Sequence, residues 1–228
     1  MSDNQSSYKD LIKKFRRQCK QWNERGIDAV FNKDLVDADI GKVKYIVVAD
    51  NPGDNEKIES RYLCESDEGN RSGRIARQIF SMIFKNQPYL VLNKTPIHTP
   101  KTNDLKRVSK EVLKETMEYM AVLIHDLNGL NRNVQVYIFG LGNSFDAKKQ
   151  RLRRGGVGKY FFWKIKELYA DDDLKEPIIA KHFSRYSLFR DFPIGDKKMK
   201  FRDLCEENAE DFLNAMNKLP YKDWMMNT

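Results

Sequence analysis

Several short segments of the chain place polar or small residues directly after an apolar run. A carboxylate there could take a proton, an amide could orient water, and an imidazole could donate to developing negative charge. If the segments meet, they make one chemically coherent pocket. In chain order the residues are Asp50, Asn51, Pro52 and Gly53 (in VVADNPGDNE), then Asn93, then Gly140, Gly142 and Asn143, and finally His182.

The apolar runs before these residues are predicted β-strands. Residues 43–49 form a nearly continuous β-branched and aromatic run, which is typical of a strand buried on both faces. Residues 89–92, 134–139 and 177–180 are shorter runs of the same kind. Ligands of open parallel sheets bind beyond the carboxyl ends of the strands, so the polar residues are expected to line one rim.

Segments with helical periodicity lie between the predicted strands. A polar loop is expected directly after the first strand. Strands that alternate with helices favour parallel pairing with helices on both faces. We therefore predict an α/β fold: a three-layer α/β/α sandwich with a central parallel sheet of about four strands. We interpret 1–228 as one domain, with 1–40 as an N-terminal helical extension and 41–228 as the core. The predicted helices cover residues 8–24, 72–84, 109–128, 157–168 and 201–219.

The bulk composition suits a polyanionic partner and a reducing compartment. The net charge is +8 and the pI is about 9.2, which is weak evidence for nucleic acid by itself. Cys19, Cys64 and Cys205 match no zinc spacing, and an odd number argues against a disulfide framework. No apolar run approaches the roughly 20 residues that span a bilayer, and no apolar signal core is present. We expect a cytoplasmic protein without metal, cofactor or membrane contact.

The order of the motifs resembles the uracil-DNA glycosylase superfamily. Ala49-Asp50-Asn51-Pro52-Gly53 is similar to its first motif, which reads G-x-N-P-G, G-E-A-P-G or G-Q-D-P-Y. Asn93 resembles the asparagine that ends the second strand, and His182-Phe183-Ser184 resembles the His-Pro-Ser motif. Ala49 and Phe183 depart from the usual glycine and proline. The chain lacks the four cysteines of the iron–sulfur branch, so we expect no cluster.

The resemblance implies a DNA base-excision glycosylase that flips out uracil or a related damaged base and hydrolyses its N-glycosidic bond. It implies that His182 contacts uracil O2 and stabilises the leaving anion. Asn51 then positions the attacking water. Asp50 occupies the place of the glutamate in G-E-A-P-G, where a carboxylate could act as general base or counter the oxocarbenium charge. Consecutive extended residues point opposite ways, so one of this pair should face the substrate; we favour Asn51, with Asp50 close behind.

The same resemblance assigns residues to the base. The Asn93 carbonyl could accept from uracil N3–H and its NH₂ could donate to O4, whereas cytosine presents the opposite pattern. The superfamily stacks an aromatic side chain on the base; Tyr62 is the nearest candidate and Leu63 the alternative. Pro52 and Gly53 complete the predicted substrate-binding set, and the backbone of Gly53 and of residues 70–74 could bind a phosphate.

The loop after His182 is the predicted DNA contact. In the superfamily this loop pushes a wedge into the duplex, a part that Tyr186 or Leu188 could take. The basic run KKQRLRRGG (148–156) could lie along DNA or be a solvated helix face. The predicted partner is uracil-containing or damaged DNA, the product is free uracil, and the chain is expected to be a monomer. The predicted DNA-binding residues are Ser184, Arg185, Tyr186, Leu188 and Arg190.

Two other interpretations stay open. A protein of this fold could bind nucleic acid or a nucleobase without cleaving it, which the missing proline beside His182 favours. Another α/β enzyme acting on a nucleotide or nucleoside is the second alternative. Against it, the chain has no G-x-x-x-x-G-K-[ST] phosphate loop, and GLGNSF (140–145) lacks the third glycine of a dinucleotide fingerprint.

Overall fold

A four-stranded sheet lies at the centre of the fold. The computed structural model describes residues 3–64, 71–140, 145–146, 151–152, 156–170, 172–180, 191–194 and 197–200. Its strands lie in the order β2 (Tyr89–Asn93), β1 (Tyr45–Ala49), β3 (Gln135–Phe139) and β6 (Ile178–Ala180), and each neighbouring pair is parallel. The predicted α/β class and parallel sheet are therefore confirmed. The strands are β1 (Tyr45–Ala49), β2 (Tyr89–Asn93), β3 (Gln135–Phe139), β4 (Phe145–Asp146), β5 (Arg151–Leu152), β6 (Ile178–Ala180), β7 (Asp191–Ile194) and β8 (Lys197–Lys200).

Helices connect the strands of this sheet, and four of them agree with prediction within a few residues. The remaining helix, α2 (Asp54–Glu59), was not predicted: it replaces part of the polar loop expected after the first strand, and that part of the prediction is wrong. No helix in the described part of the chain is long and apolar enough to cross a membrane. The predicted helix at 201–219 lies outside the described residues. The helices are α1 (Asp3–Glu24), α2 (Asp54–Glu59), α3 (Arg71–Ile83), α4 (Lys110–Leu130) and α5 (Lys159–Ala170).

Helix α1 packs against the core through one stripe. Its buried side chains recur at three- and four-residue spacing, which places them on one face. The indole of Trp22 donates to Glu115 on α4 over 2.7 Å, and the hydroxyl of Tyr8 donates to the Leu35 carbonyl over 2.6 Å. These bonds satisfy polar groups on otherwise apolar side chains, so α1 is tied to the rest of the core. The buried stripe consists of Tyr8, Ile12, Phe15, Cys19 and Trp22.

Apolar clusters cover both faces of the sheet. On one face, Ile46 and Val48 of β1 pack in a cluster with residues of α1, α4 and α5. On the other face, Val47 and Ala49 pack with Ala76 and Phe80 of α3. Alternate residues of β1 thus serve opposite clusters, as the pleat requires of a strand buried on both sides.

The strand register brings the carboxyl ends of β1, β2 and β3 to one level. Ala49 lies opposite Asn93, and Val48 lies opposite Ile138. The residues that follow, Asp50, Lys94 and Gly140, are therefore neighbours at one edge of the sheet. This edge holds the candidate site.

Burial on α4 gives a prediction for stability. We expect Ile124→Ala, at a fully buried position, to lower the free energy of unfolding by about 3 kcal/mol through lost burial and a cavity. The matched control is Val122→Ala on the same helix, whose side chain is 36 % exposed and should change stability by less than about 0.5 kcal/mol. Urea unfolding measures both; equal losses would contradict the described packing of α4.

Candidate functional site

A buried lysine joins the ends of three strands. Lys94 directly follows β2 and is only 3 % exposed. Its Nζ donates to Asp50 Oδ1 after β1, to the Phe139 carbonyl over 2.7 Å, and to the Gly140 carbonyl. The ammonium also lies 5.4 Å from the centre of the Phe162 ring. Each of its three protons thus has an oxygen acceptor, which a buried ammonium needs.

Asn51 points away from this ion pair, toward the segment after β2. Its Nδ2 donates to Thr99 Oγ1 over 2.8 Å. Because Thr99 Oγ1 gives its own proton to the Lys101 carbonyl, it must accept from Asn51, which fixes the orientation of the amide. The Oδ1 atom of Asn51 is then left buried with no hydrogen-bond partner among the described residues.

Asn93 is the least satisfied polar residue at this rim. Its side chain is 0 % exposed, and neither its Nδ2 nor its Oδ1 has a partner within the described part of the chain. An unpaired buried polar group costs about 1–3 kcal/mol, and such groups call for a specific explanation. Asn93 and Asn51 together leave one amide donor and two carbonyl acceptors unpaired among the described residues. Because Asn93 is 0 % exposed, a ligand would reach it only after the groups that cover it move.

Glu56 holds the turn that contains Pro52 and Gly53. Its buried carboxylate accepts from the Gly53 N–H over 2.7 Å and from the Leu63 N–H over 2.5 Å. Burial raises the pKa of Glu56, while these two hydrogen bonds act in the opposite direction. Because the Gly53 N–H is used inside the protein, this geometry does not favour the predicted contact of Gly53 with a phosphate.

The predicted stacking residues lie in the interior. The Tyr62 side chain is 0 % exposed, and its hydroxyl donates to the Val30 carbonyl over 2.5 Å. Burial raises the pKa of Tyr62 well above its ordinary value. Leu63 is 5 % exposed. For Tyr62 to stack on a base it would have to leave this position, so the structure gives the assignment no support.

A second polar cluster borders the rim. The His98 ring bonds Asp28 through Nδ1 over 2.8 Å and Asp54 through Nε2 over 2.9 Å. Lys57 also donates to Asp28, over 2.6 Å. Partial burial acts to raise the pKa of Asp28, but the hydrogen bonds and charges of Lys57 and His98 together lower it. Both ring nitrogens of His98 are engaged, so this cluster fixes the segment before Thr99.

Sequence reasoning missed the roles of Lys94, Thr99 and His98. Lys94 was visible as the residue after Asn93, but a lysine at a strand end is ordinarily exposed. The contacts of Thr99 and His98 join residues 48 to 70 positions apart, which no local pattern reveals. Within the described part of the chain, no three His, Cys, Asp or Glu side chains are grouped so that they could hold a metal ion.

The last motif and the loop after it lie outside the described residues. The predicted site residues in the undescribed part of the chain are Gly142, Asn143, His182, Ser184, Arg185, Tyr186, Leu188 and Arg190. Of the basic run 148–156, only Arg151–Leu152 and Gly156 are described. The structure therefore brings Asp50, Asn51 and Asn93 to one edge of the sheet. The position of His182 at that edge stays a prediction.

No protein-family model matches the chain, and no curated protein is found to be similar to it. The resemblance to uracil-DNA glycosylases therefore depends on the motifs themselves.

The Lys94 contacts predict a strong stability effect. We expect Lys94→Met to lower the free energy of unfolding by about 3 kcal/mol, because it removes the buried ammonium that donates to the Asp50 carboxylate and to two carbonyls. Lys110→Met, at an exposed position on α4, is the control and should be nearly neutral. Adding Asp50→Asn to Lys94→Met should cost less than Asp50→Asn costs alone. Additive losses in urea unfolding would show that the pair is not coupled.

Proposed function

We propose that this protein is a DNA base-excision glycosylase that hydrolyses the N-glycosidic bond of uracil or a related damaged base. The observation that carries the proposal is the Asn93 amide, which is wholly buried with both polar atoms unpaired among the described residues. A protein bears such a cost where a ligand restores the missing hydrogen bonds. Its position at the end of β2, level with the Asp-Asn-Pro-Gly turn, agrees with the motif order of the superfamily.

Uracil has one edge with a donor and an acceptor that would complement the two unpaired atoms of the Asn93 amide. Its N3–H would donate to Oδ1, and its O4 would accept from Nδ2. With the amide in this orientation, cytosine would place its N3 acceptor against Oδ1 and its amino group against Nδ2, so both contacts would face like groups. Discrimination therefore requires that the ligand-bound amide be kept from turning about its Cβ–Cγ bond. A buried mismatch of this kind gives strong discrimination.

Asn51 is the residue that we assign to the attacking water. Its Nδ2 is held by Thr99, and its unpaired Oδ1 can accept a hydrogen bond from a water molecule and so orient the water's lone pair. Asp50 is bound to the buried ammonium of Lys94 and serves as its counterion. We therefore assign Asp50 to holding the rim in place.

The remaining parts of the proposal come from the sequence. His182 would donate to uracil O2 as the base leaves, and residues 184–190 would contact the DNA around the flipped nucleotide. The helices that cover both faces of the sheet support a three-layer α/β/α arrangement like that of the superfamily.

One observation favours a second candidate, a protein that binds a nucleobase or nucleic acid without cleaving it. The candidate base Asp50 is tied to Lys94, and an amide such as Asn51 cannot itself accept a proton from water. In this case the Asn93 contacts would serve recognition alone.

An excision assay separates the two candidates. The protein is incubated with end-labelled oligonucleotides that contain one deoxyuridine, as single strand, U·A and U·G, and abasic sites are then cleaved with alkali. We expect strand breaks at the deoxyuridine and none at a cytosine in the same position. Intact strands beside an active control enzyme would contradict the glycosylase, and binding of the same oligonucleotides would then favour the second candidate.

Asn93 provides a prediction in which stability and activity move apart. Asn93→Leu removes unpaired polar atoms, so we expect stability to be unchanged or higher, while uracil excision falls at least a hundredfold. Asn128→Leu is the matched control: it is equally buried, but its amide donates to the Val134 carbonyl and accepts from the Tyr169 hydroxyl. That variant should lose about 1–3 kcal/mol and keep its rate per folded molecule. Destabilisation by Asn93→Leu of the same size would indicate a structural role for Asn93.

Asn51 and His182 provide a prediction for the rate of the chemical step. We expect Asn51→Ala and His182→Ala each to lower single-turnover excision at least tenfold, because each removes a positioned group. Unchanged rates in both variants would refute these two assignments without refuting the function.

A further inference from the structure

A basic groove runs along α1 beside the candidate site. It measures about 1210 Å³ and lies between the outer face of α1 and the segment from Ala29 to Val36. Two acidic residues also line it, and both are paired: Glu24 with Lys20 at 3.8 Å, and Asp28 with Lys57 at 2.6 Å. The groove therefore carries a net positive charge. Its basic lining residues are Lys13, Arg16, Arg17, Lys20, Lys33 and Lys57.

The basic residues of α1 form a regular row. Lys13, Arg16, Arg17 and Lys20 follow the i, i+3, i+4, i+7 spacing, so they share one face of the helix, away from its buried stripe. At 1.5 Å per residue the row is ~10 Å long and carries four positive charges. The row thus matches a polymer with closely repeated negative charge.

The floor of the groove is apolar and includes an aromatic ring. Phe31, Val30 and Val36 line it, and Val36 is 42 % exposed. The Arg16 guanidinium lies 5.9 Å from the centre of the Phe31 ring. A positively charged wall beside an aromatic surface is the arrangement that binds single strands, because phosphates contact the cations and bases stack on the ring.

The segment that forms one wall of the groove is hydrogen-bonded to the segment after β2. The backbone N–H of His98 donates to the backbone carbonyl of Asp28 over 2.7 Å, and the backbone N–H of Val30 donates to the Pro96 carbonyl over 2.9 Å. The next residue, Thr99, holds Asn51. One wall of the groove and the Asn51 side chain are therefore fixed by the same segment after β2.

We propose that this groove binds the sugar–phosphate backbone of a single nucleic-acid strand that extends from the candidate site. The inference deepens the proposed function, on which it rests for the nature of the strand. Phosphates lie along the Lys13 to Lys20 row, and a base lies against Phe31. An acidic protein segment is the competing occupant, and the experiment below distinguishes it.

Binding of an oligonucleotide without uracil tests the groove separately from catalysis. The probe is a fluorescent single-stranded 12-mer, followed by anisotropy at several salt concentrations. The test variant is Lys13→Glu/Arg17→Glu. The control is Lys14→Glu/Lys175→Glu, which changes net charge equally at exposed positions that do not line the groove. A second test variant, Lys13→Gln/Arg17→Gln, guards against loss of folding, and circular dichroism checks all three.

We expect the groove variant to bind at least tenfold more weakly, and the control less than threefold. The slope of log affinity against log salt should fall by about 1.4 in magnitude for the glutamine variant, as loss of two single-strand phosphate contacts requires. Equal weakening in test and control variants would overturn the proposal. So would displacement of the oligonucleotide by polyglutamate at equal charge concentration, which would assign the groove to an acidic protein.

The binding result does not depend on excision. If the groove variants bind selectively more weakly but the wild-type protein excises nothing, the groove is supported as a binding site and the glycosylase is contradicted. If the wild-type protein excises uracil but the groove variants bind the oligonucleotide as tightly as wild type does, the glycosylase is supported and the groove proposal is contradicted.

Discussion

The ammonium of Lys94 is the interaction on which the arrangement of the rim depends. An ammonium is stable in the interior only when each of its protons has an acceptor, and an isolated one would be far too costly. Its acceptors come from the ends of β1 and β3, while its own backbone belongs to the end of β2. A shift in the register of any of these strands would leave a buried charge or carbonyl unpaired. The ion pair therefore favours the strand alignment that brings Asp50 and Asn93 to one edge.

The neighbouring residues Asn93 and Lys94 differ in how far the protein satisfies their hydrogen bonds, which indicates different roles. Lys94 is fully engaged by the protein, whereas both polar atoms of Asn93 lack partners among the described residues. Packing alone does not explain the retention of an amide at such a position, since leucine would fill similar space without the cost. We therefore assign Lys94 to holding the rim in place and Asn93 to binding a ligand there.

Much of the sheet and the location of the rim could be predicted, because both follow from local patterns. Continuous β-branched runs such as 43–49 identify buried strands, and the strand-end rule then places Asp50, Asn51 and Asn93 at one edge. Helix α2 was missed because five of its six residues are polar and its one apolar residue, Ile58, gives no helical periodicity; a contact of Glu56 with Gly53 supports its first turn. The prediction for Tyr62 depends on its distance from the first motif, which says nothing about burial. The partners of Lys94 and Asn51 depend on long-range packing, so the sequence could not show them.

The most direct measurement is a crystal structure of the protein soaked with uracil. We predict uracil at the rim of the sheet, with its N3 about 3 Å from Asn93 Oδ1 and its O4 about 3 Å from Asn93 Nδ2. We also expect Lys94 to keep its bond to Asp50. Uracil bound elsewhere, or an Asn93 amide satisfied by the protein's own groups with no room for a base, would contradict the account.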